Sequence, residues 1–311
     1  VKTLAVINPH SGGGRTAKRL PEVAAALKAA LGEVTIAMTT GIGDGARLTS
    51  RGLDGGYRRI VAIGGDGTLN EVVNGFFRDG QPIEPMAVFS FAMCGSGGDF
   101  RRTFERDGDV VAEIARLKHA VPRPLDLGRV TFVNDAGATE TRMFVNIASF
   151  GLSGEVVTRV NRARVAKLFG GPFAFKWHST MAALAFKPWQ VRLTIDDAFE
   201  RDLELSTVAV CNGRFFGGGM KIAPDADPSD GLFDVVVIAE TRRGDMIARM
   251  NDIYTGAHVA HPNVTVLRGR RVTATPASGY ATPVFAERDG EGGMRLPATF
   301  EIAPGALTLA I

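Results

Sequence analysis

At 311 residues the chain exceeds the ~250–300 residues that one hydrophobic core usually fills, so two domains are expected. Its 45% hydrophobic and 22% charged residues exclude a disordered chain, and two cysteines, Cys94 and Cys211, exclude a disulfide framework or a cysteine-rich metal site. Formal net charge is +3, but residues 155 to 192 hold seven Lys/Arg against one Asp/Glu, which leaves the remainder near −3.

The opening apolar run is too short for a signal sequence, and no apolar run approaches the ~18 residues of a transmembrane helix. A cytoplasmic protein, peripheral at the inner membrane surface, is the expectation. Residues 2 to 7 predict a buried strand, and Asn8-Pro9-His10-Ser11-Gly12-Gly13-Gly14 a loop leading to a helix with Leu20, Val23, Ala24, Leu27 and Leu31 on one face. A second strand covers Val34 to Met38, and Asp44 is placed to cap a helix beginning near Ala46.

The third strand, Ile60 to Ile63, runs into Gly64-Gly65-Asp66-Gly67-Thr68-Leu69-Asn70-Glu71. Glycines let backbone N–H groups approach an oxyanion closely, and the helix that follows presents its positive dipole end to the same place. Leu69, Val72, Val73, Phe76 and Phe77 predict the apolar face of that helix. A fourth strand, Met86 to Phe91, precedes Cys94-Gly95-Ser96-Gly97-Gly98-Asp99-Phe100. Alternating strands and helices imply a doubly wound, Rossmann-like parallel sheet, whose ligands bind at the carboxyl ends of the strands.

After Pro122-Arg123-Pro124 the pattern changes to short β-rich runs: 129–133, 142–147, 190–195, 204–211, 232–239, 264–267 and 272–275. They predict an antiparallel β-rich sandwich, with domains over 1–124 and 125–299. Within it, Asp227 and Asp230 stand three residues apart in a proline-containing turn and can converge on one hard cation. Asp289-Gly290-Glu291 supplies two further carboxylates, either of which could accept a hydroxyl proton.

The Gly64-to-Glu71 run resembles the nucleotide-binding signature of the diacylglycerol kinase catalytic family, which includes bacterial lipid kinases, sphingosine kinases and ceramide kinases. Its Gly-Gly-Asp-Gly-Thr core also occurs in NAD kinases and phosphofructokinases. The more discriminating stretch is Asn212-Gly213-Arg214-Phe215-Phe216-Gly217-Gly218-Gly219-Met220-Lys221, continuing to Asp234, which resembles the bacterial lipid kinases and is lacking in those other kinases. The terminal Asp289-Gly290-Glu291 also resembles the family's.

The resemblance implies ATP and Mg2+ as cofactors and a final strand, within 300–311, that returns to the first domain. It implies nucleotide binding by Asn8, Pro9, His10, Ser11 and Gly12, by Thr39 with Thr40 as its neighbouring alternative, by Gly64, Gly65, Asp66, Gly67, Thr68, Leu69 and Asn70, and by Ser96. Asp99 and Asp126 are the implied substrate contacts, with Asp66, Asp289 and Glu291 catalytic. Asp227, Asp230 and the Leu232 carbonyl are the implied site of a structural magnesium. Ser96 and Gly98 stand where the family usually has threonine and asparagine.

The activity implied is transfer of the ATP γ-phosphate to a hydroxyl of a membrane lipid: diacylglycerol, a sphingoid base or ceramide. An NAD kinase-like enzyme and a catalytically silent, membrane-associated nucleotide-binding protein are the rivals. Arg159, Arg162, Arg164, Lys167, Lys176 and Lys187, interleaved with Phe169, Phe173, Phe175, Trp177, Phe186 and Trp189, predict a docking face for an anionic membrane. No nucleic-acid motif accompanies these residues, so no nucleic-acid partner is expected. Oligomeric state stays open, a homodimer included.

Overall fold

In a computed structural model, which describes residues 1–94, 98–106, 108–134, 136–162, 188–239 and 250–311, the chain divides into two units. One is Val1–Leu127 with Pro304–Ile311, the other Gly128–Ala303.

The first unit begins with β1 (Thr3–Ile7), α1 (Arg15–Lys18), α2 (Leu20–Leu31), β2 (Val34–Met38), α3 (Asp44–Asp54), β3 (Arg59–Gly64) and α4 (Asp66–Asn74). A small hairpin follows, β4 (Phe77–Arg78) and β5 (Gln81–Pro82), then β6 (Val88–Met93), α5 (Asp99–Thr103) and α6 (Val110–Arg116). The strand order β2-β1-β3-β6 is parallel throughout, and the end of the chain adds Thr308 and Leu309 beside Val88 and Phe89.

Helices cover both faces of this sheet, which is why β1 and β3 read as unbroken apolar runs. Ala5, Ile7, Val61 and Ile63 pack against Val23 and Leu27 of α2 and Val110 and Ile114 of α6. Residues of opposite parity point the other way. There Gly52 of α3 approaches so closely that a Cβ would lie 2.5 Å from Leu4 Cδ2.

Three local expectations change. The fourth strand starts at Val88, because Met86 is 79% exposed. The helix after the glycine turn ends at Asn74, so Phe76 is buried but not helical and Phe77 belongs to β4. A Cβ on Gly75 would lie 2.5 Å from the Ala46 carbonyl oxygen, so the close approach of α3 fixes that end. Asp44 is the first residue of α3 and not its cap: its carboxylate reaches back to the N–H groups of Thr40 (2.8 Å) and Gly41 (3.2 Å).

The second unit begins within β7 (Arg123–Asn134) and continues through β8 (Thr139–Phe144), β9 (Ile147–Gly151), α7 (Leu152–Arg162), β10 (Trp189–Ile195), β11 (Phe199–Cys211) and β12 (Phe233–Ala239). Then come α8 (Met250–Thr255), β13 (Val264–Gly269), β14 (Arg271–Pro276), β15 (Phe285–Arg288) and β16 (Glu291–Leu309). Pairing is antiparallel and follows two routes, β13-β12-β11-β10-β14-β16 and β11-β9-β15-β16. The register shift between Leu205 and Thr207 lets β11 serve both.

The two routes enclose one apolar core containing Val191, Leu193, Val208 and Val210. In it Phe144 stacks on Phe233 at 5.7 Å and Phe150 on Phe300 at 6.1 Å. Trp189 belongs to this core at 5% exposure, which corrects its placement on a membrane face. The other aromatic residues proposed for that face lie outside the described residues.

The run 142–147, expected as one strand, breaks between Phe144 and Ile147. The intervening N–H groups of Val145 and Asn146 turn to the Asp289 carboxylate instead of a neighbouring strand.

Candidate active site

In the first unit, β1, β3 and β6 end side by side, and their loops are tied together. Asn8 is the hub of the first: its N–H donates to the Ile63 carbonyl (2.9 Å), and its Oδ1 accepts from the N–H of His10 (2.9 Å). Its Nδ2 donates to Thr68 Oγ1 (3.0 Å) in the next loop. Ser11 Oγ donates to the Asn8 carbonyl and sits 2.5 Å from Thr16 Oγ1. Gly12, Gly13 and Gly14 then hold φ of 61°, 68° and 82°, a left-handed course that side chains resist.

The second loop is tighter. A Cβ on Gly64 would lie 2.5 Å from Thr68 Oγ1, so Thr68 fills the space that glycine leaves. Gly65 is the N-cap of α4 and Asp66 its first residue, where a helix has N–H groups without internal partners. One oxygen of Asp66 accepts from the N–H of Gly98 (2.8 Å), and Oδ1 is buried with no hydrogen-bond partner among the described residues. A buried carboxylate oxygen at a helix N-terminus, beside a glycine-lined turn, suits a metal-bound phosphate ligand.

The remaining predicted residues of this unit take several roles. Thr39 is 5% exposed and continues the β1–β2 pairing through its N–H to Ile7 (2.9 Å). Thr40 gives its hydroxyl to Asp44 at 2.6 Å. Leu69 is 2% exposed, and its N–H is spent on Gly65, so it contributes to the core of the unit. Asn70 is 5% exposed and its carbonyl accepts from Asn74 Nδ2 (2.9 Å). Asp99, 8% exposed, pairs with Arg102 at 2.6 Å. Asp126, 2% exposed, accepts from the N–H of Gly305 (2.7 Å) and so fastens the returning chain end. Ser96 lies outside the described residues.

Two carboxylates that organise these loops escape a reading of the sequence. Glu71, the last residue of the signature, accepts the N–H groups of Gly43 and Gly45, both at 2.8 Å, and so caps α3 from α4. Glu113, 1% exposed, accepts from the Met93 N–H (2.7 Å) and from Arg101 (3.0 Å), holding the end of β6 to α5. The signal for Glu113 was a lone acid among the apolar positions Val110, Ile114 and Leu117.

In the second unit, Asp289 and Gly290 form the two-residue turn between β15 and β16, with φ of 46° and 82°. Positive φ at both positions defines the hairpin turn that Asp-Gly favours. Asp289 accepts the N–H groups of Val145 (2.8 Å), Asn146 (3.0 Å) and Ile147 (3.1 Å). It is a structural fastening, whereas Glu291 at the start of β16 is exposed. Glu287, 3% exposed on β15, accepts from the hydroxyl of Ser149 and from the N–H of Gly290 (2.9 Å), and burial pushes its carboxyl up to about 7.

The acidic turn of this unit is already well provided with donors. Asp227 Oδ1 accepts from the Ser229 N–H (3.0 Å) and hydroxyl (2.6 Å). Asp230 accepts from the Leu232 N–H (3.0 Å) and pairs with Arg268, which also lies 3.8 Å from Asp234. Burial pushes the Asp234 carboxyl up, and Arg268 opposes that shift. The oxygen-only donor set fits a hard cation, provided Arg268 yields an oxygen of Asp230. Among the described residues no cluster of three or more His, Cys, Asp or Glu side chains is poised for a metal.

Comparison with known proteins assigns both halves. The model of the diacylglycerol kinase catalytic domain matches residues 2–130, and that of the YegS C-terminal NAD kinase beta sandwich-like domain matches residues 146–311. A diacylglycerol kinase of Staphylococcus epidermidis is 28% identical over 298 residues, 95% of this chain and 87% of its own length; that of Staphylococcus saprophyticus is equally identical over 95% and 90%. Among solved structures, a diacylglycerol kinase from Bacillus anthracis superposes with a TM-score of 0.70 at 19% identity, over 99% of this chain and 96% of its own. Yeast NADH kinase gives 0.53 at 10% identity, over 100% and 82%, a likeness of fold alone. With one family model on its first unit and the other over more than half of its length, the chain belongs to the diacylglycerol kinase catalytic family of kinases.

Proposed function

We propose that the protein is an ATP-dependent lipid kinase that transfers the γ-phosphate to a hydroxyl of diacylglycerol or a related membrane lipid. The observation that carries this reading is Asp66, with one oxygen fixed by Gly98 and the other buried at the N-terminus of α4 without a partner among the described residues. Relatives 28% identical over nearly the whole chain bear the name diacylglycerol kinase, which favours a lipid acceptor over NAD.

In this reading the Asn8–Gly14 loop and the Gly64–Asn70 turn bind the nucleotide phosphates through backbone N–H groups, and Asp66 orients them. Magnesium, when bound, neutralises charge that builds on the phosphoryl oxygens. Asp66 would hold that ion, and Asp227, Asp230 and the Leu232 carbonyl a structural one. Glu291 accepts the proton of the acceptor hydroxyl, and Asp289 fastens the turn that carries it.

The basic and aromatic residues between 159 and 187 support docking on an anionic membrane, although Arg192 is committed to Asp202 at 2.8 Å. Among the described residues no helix is long and apolar enough to cross a membrane.

Phosphate transfer from labelled ATP to diacylglycerol, ceramide and a sphingoid base in mixed micelles, with NAD as a competing acceptor, tests the assignment. Label on a lipid is the expected result. Label on NAD alone would overturn the lipid reading. Sedimentation with anionic and neutral vesicles in low and high salt tests the docking face, with salt-sensitive binding to anionic vesicles expected.

A further inference from the structure

Glu287 stands two residues before Asp289, where the chain is more polar than a strand entering such a turn requires. It is buried on every side. From β9, Ser149 donates its hydroxyl to Oε1; from the turn, Gly290 donates its N–H to Oε2 at 2.9 Å. Ser149 is itself wholly buried and pairs in register with Glu287 across the β15–β9 ladder. The carboxyl thus bridges a fixed strand and the turn that presents Asp289 and Glu291.

We infer that Glu287 is an ionisable positioning residue for the Asp289–Glu291 turn, holding it in its working geometry through Gly290. The inference rests on the reading that this turn serves phosphoryl transfer. Two donors meeting two oxygens fix the turn peptide as well as Asp289 fixes its other side, where three N–H groups converge. A catalytic carboxylate displaced by about 1 Å can lose a hundredfold in rate, so the clamp acts on turnover without touching substrate.

The charges around Glu287 decide the direction of its pH response. Asp289 opposes its ionisation and Arg288, the adjacent residue on β15, favours it; burial outweighs both. Arg288 is half-spent elsewhere, stacked 5.5 Å from the Phe132 ring with Nη1 3.4 Å from Met294 Sδ. From β11, the Cys211 thiol is pushed well up by burial and stays neutral. Glu291 follows the turn, and α7, which meets β15 at Gly154, carries Glu155 in its first turn and Arg159 and Arg162 further along. The carboxyl therefore titrates within the working range, and its ionised form grips the Gly290 N–H the harder.

The test uses the full-length enzyme with two variants at this position and two in the turn. Glu287→Ala removes both contacts and is expected to lower kcat at pH 8 at least about tenfold with the KM for ATP nearly unchanged. Glu287→Gln keeps an acceptor for Gly290 and a polar partner for Ser149 but is uncharged like the protonated carboxyl, so its kcat at pH 8 should lie near the low-pH wild-type value and above that of Glu287→Ala. It cannot ionise, so the fall in wild-type kcat as pH drops through about 7 should disappear. A wild-type kcat in Glu287→Ala, or an unchanged pH profile in Glu287→Gln, overturns the inference alone if Asp289→Asn and Glu291→Gln are impaired. Full turnover in both turn variants overturns the underlying reading as well.

Discussion

The N–H of Gly98 donates to one oxygen of Asp66 across 2.8 Å, while the other oxygen of the same carboxylate is buried and has no partner among the described residues. A loop at the end of β6 therefore aims a side chain at the end of β3. Asp66→Asn keeps the shape but removes the charge, and is expected to lower kcat by about 10²–10³-fold with an unchanged circular dichroism spectrum. Near wild-type turnover in the purified variant would remove Asp66 from the chemistry.

Asp289 and Glu291 separate by experiment because their surroundings differ. Asp289→Asn places an amide among three N–H donors and should lower stability by about 1–3 kcal/mol, read as a shift of the urea midpoint. Glu291→Gln should lower kcat while leaving the midpoint and ATP affinity in place. The reverse pattern would exchange their roles.

Arg268 and a divalent cation compete for Asp230. Magnesium should raise the Tm of the apo protein by mass action, and Arg268→Gln should enlarge that rise by removing the resident cation. Asp230→Ala should abolish it. A Tm indifferent to magnesium in both wild type and Arg268→Gln would dismiss the structural-metal proposal.

Glu71 caps a helix to which it does not belong, through Gly43 and Gly45. Truncation to alanine strands two N–H groups at the start of α3 and should cost about 1–2 kcal/mol in chemical denaturation. An unchanged midpoint would mean that water replaces the carboxylate without loss.

Stability should also depend on pH through Glu287, whose folded-state value near 7 exceeds the ordinary 4.5. Between these values the folded chain holds a proton that the unfolded chain has released. The stabilising contribution is complete below 4.5, and fades as pH rises through 7, by up to roughly 3 kcal/mol. Glu287→Gln should therefore lose less Tm than wild type between pH 5.5 and 8. Parallel curves would show that burial does not shift this carboxyl.

Local patterns suffice where one segment contains the whole physical cause. The apolar runs of β1 and β3 disclose a sheet covered on both faces, since a strand buried on both sides has no polar position to show. The glycine turn at Gly64 is legible because the steric need for glycine and the helix dipole are both local to it. Asp289-Gly290 likewise discloses its hairpin through the positive φ that this dipeptide tolerates. What each acidic residue does was decided only in three dimensions. Glu71 and Glu291 are the same residue type, yet one caps α3 and the other lies exposed on β16. Asp126 is satisfied by Gly305, 179 positions away, and Asp289 by Val145, 144 positions away. A carboxylate's role follows from which donors reach it and how much water remains, and in this chain those donors come from strands far apart in sequence.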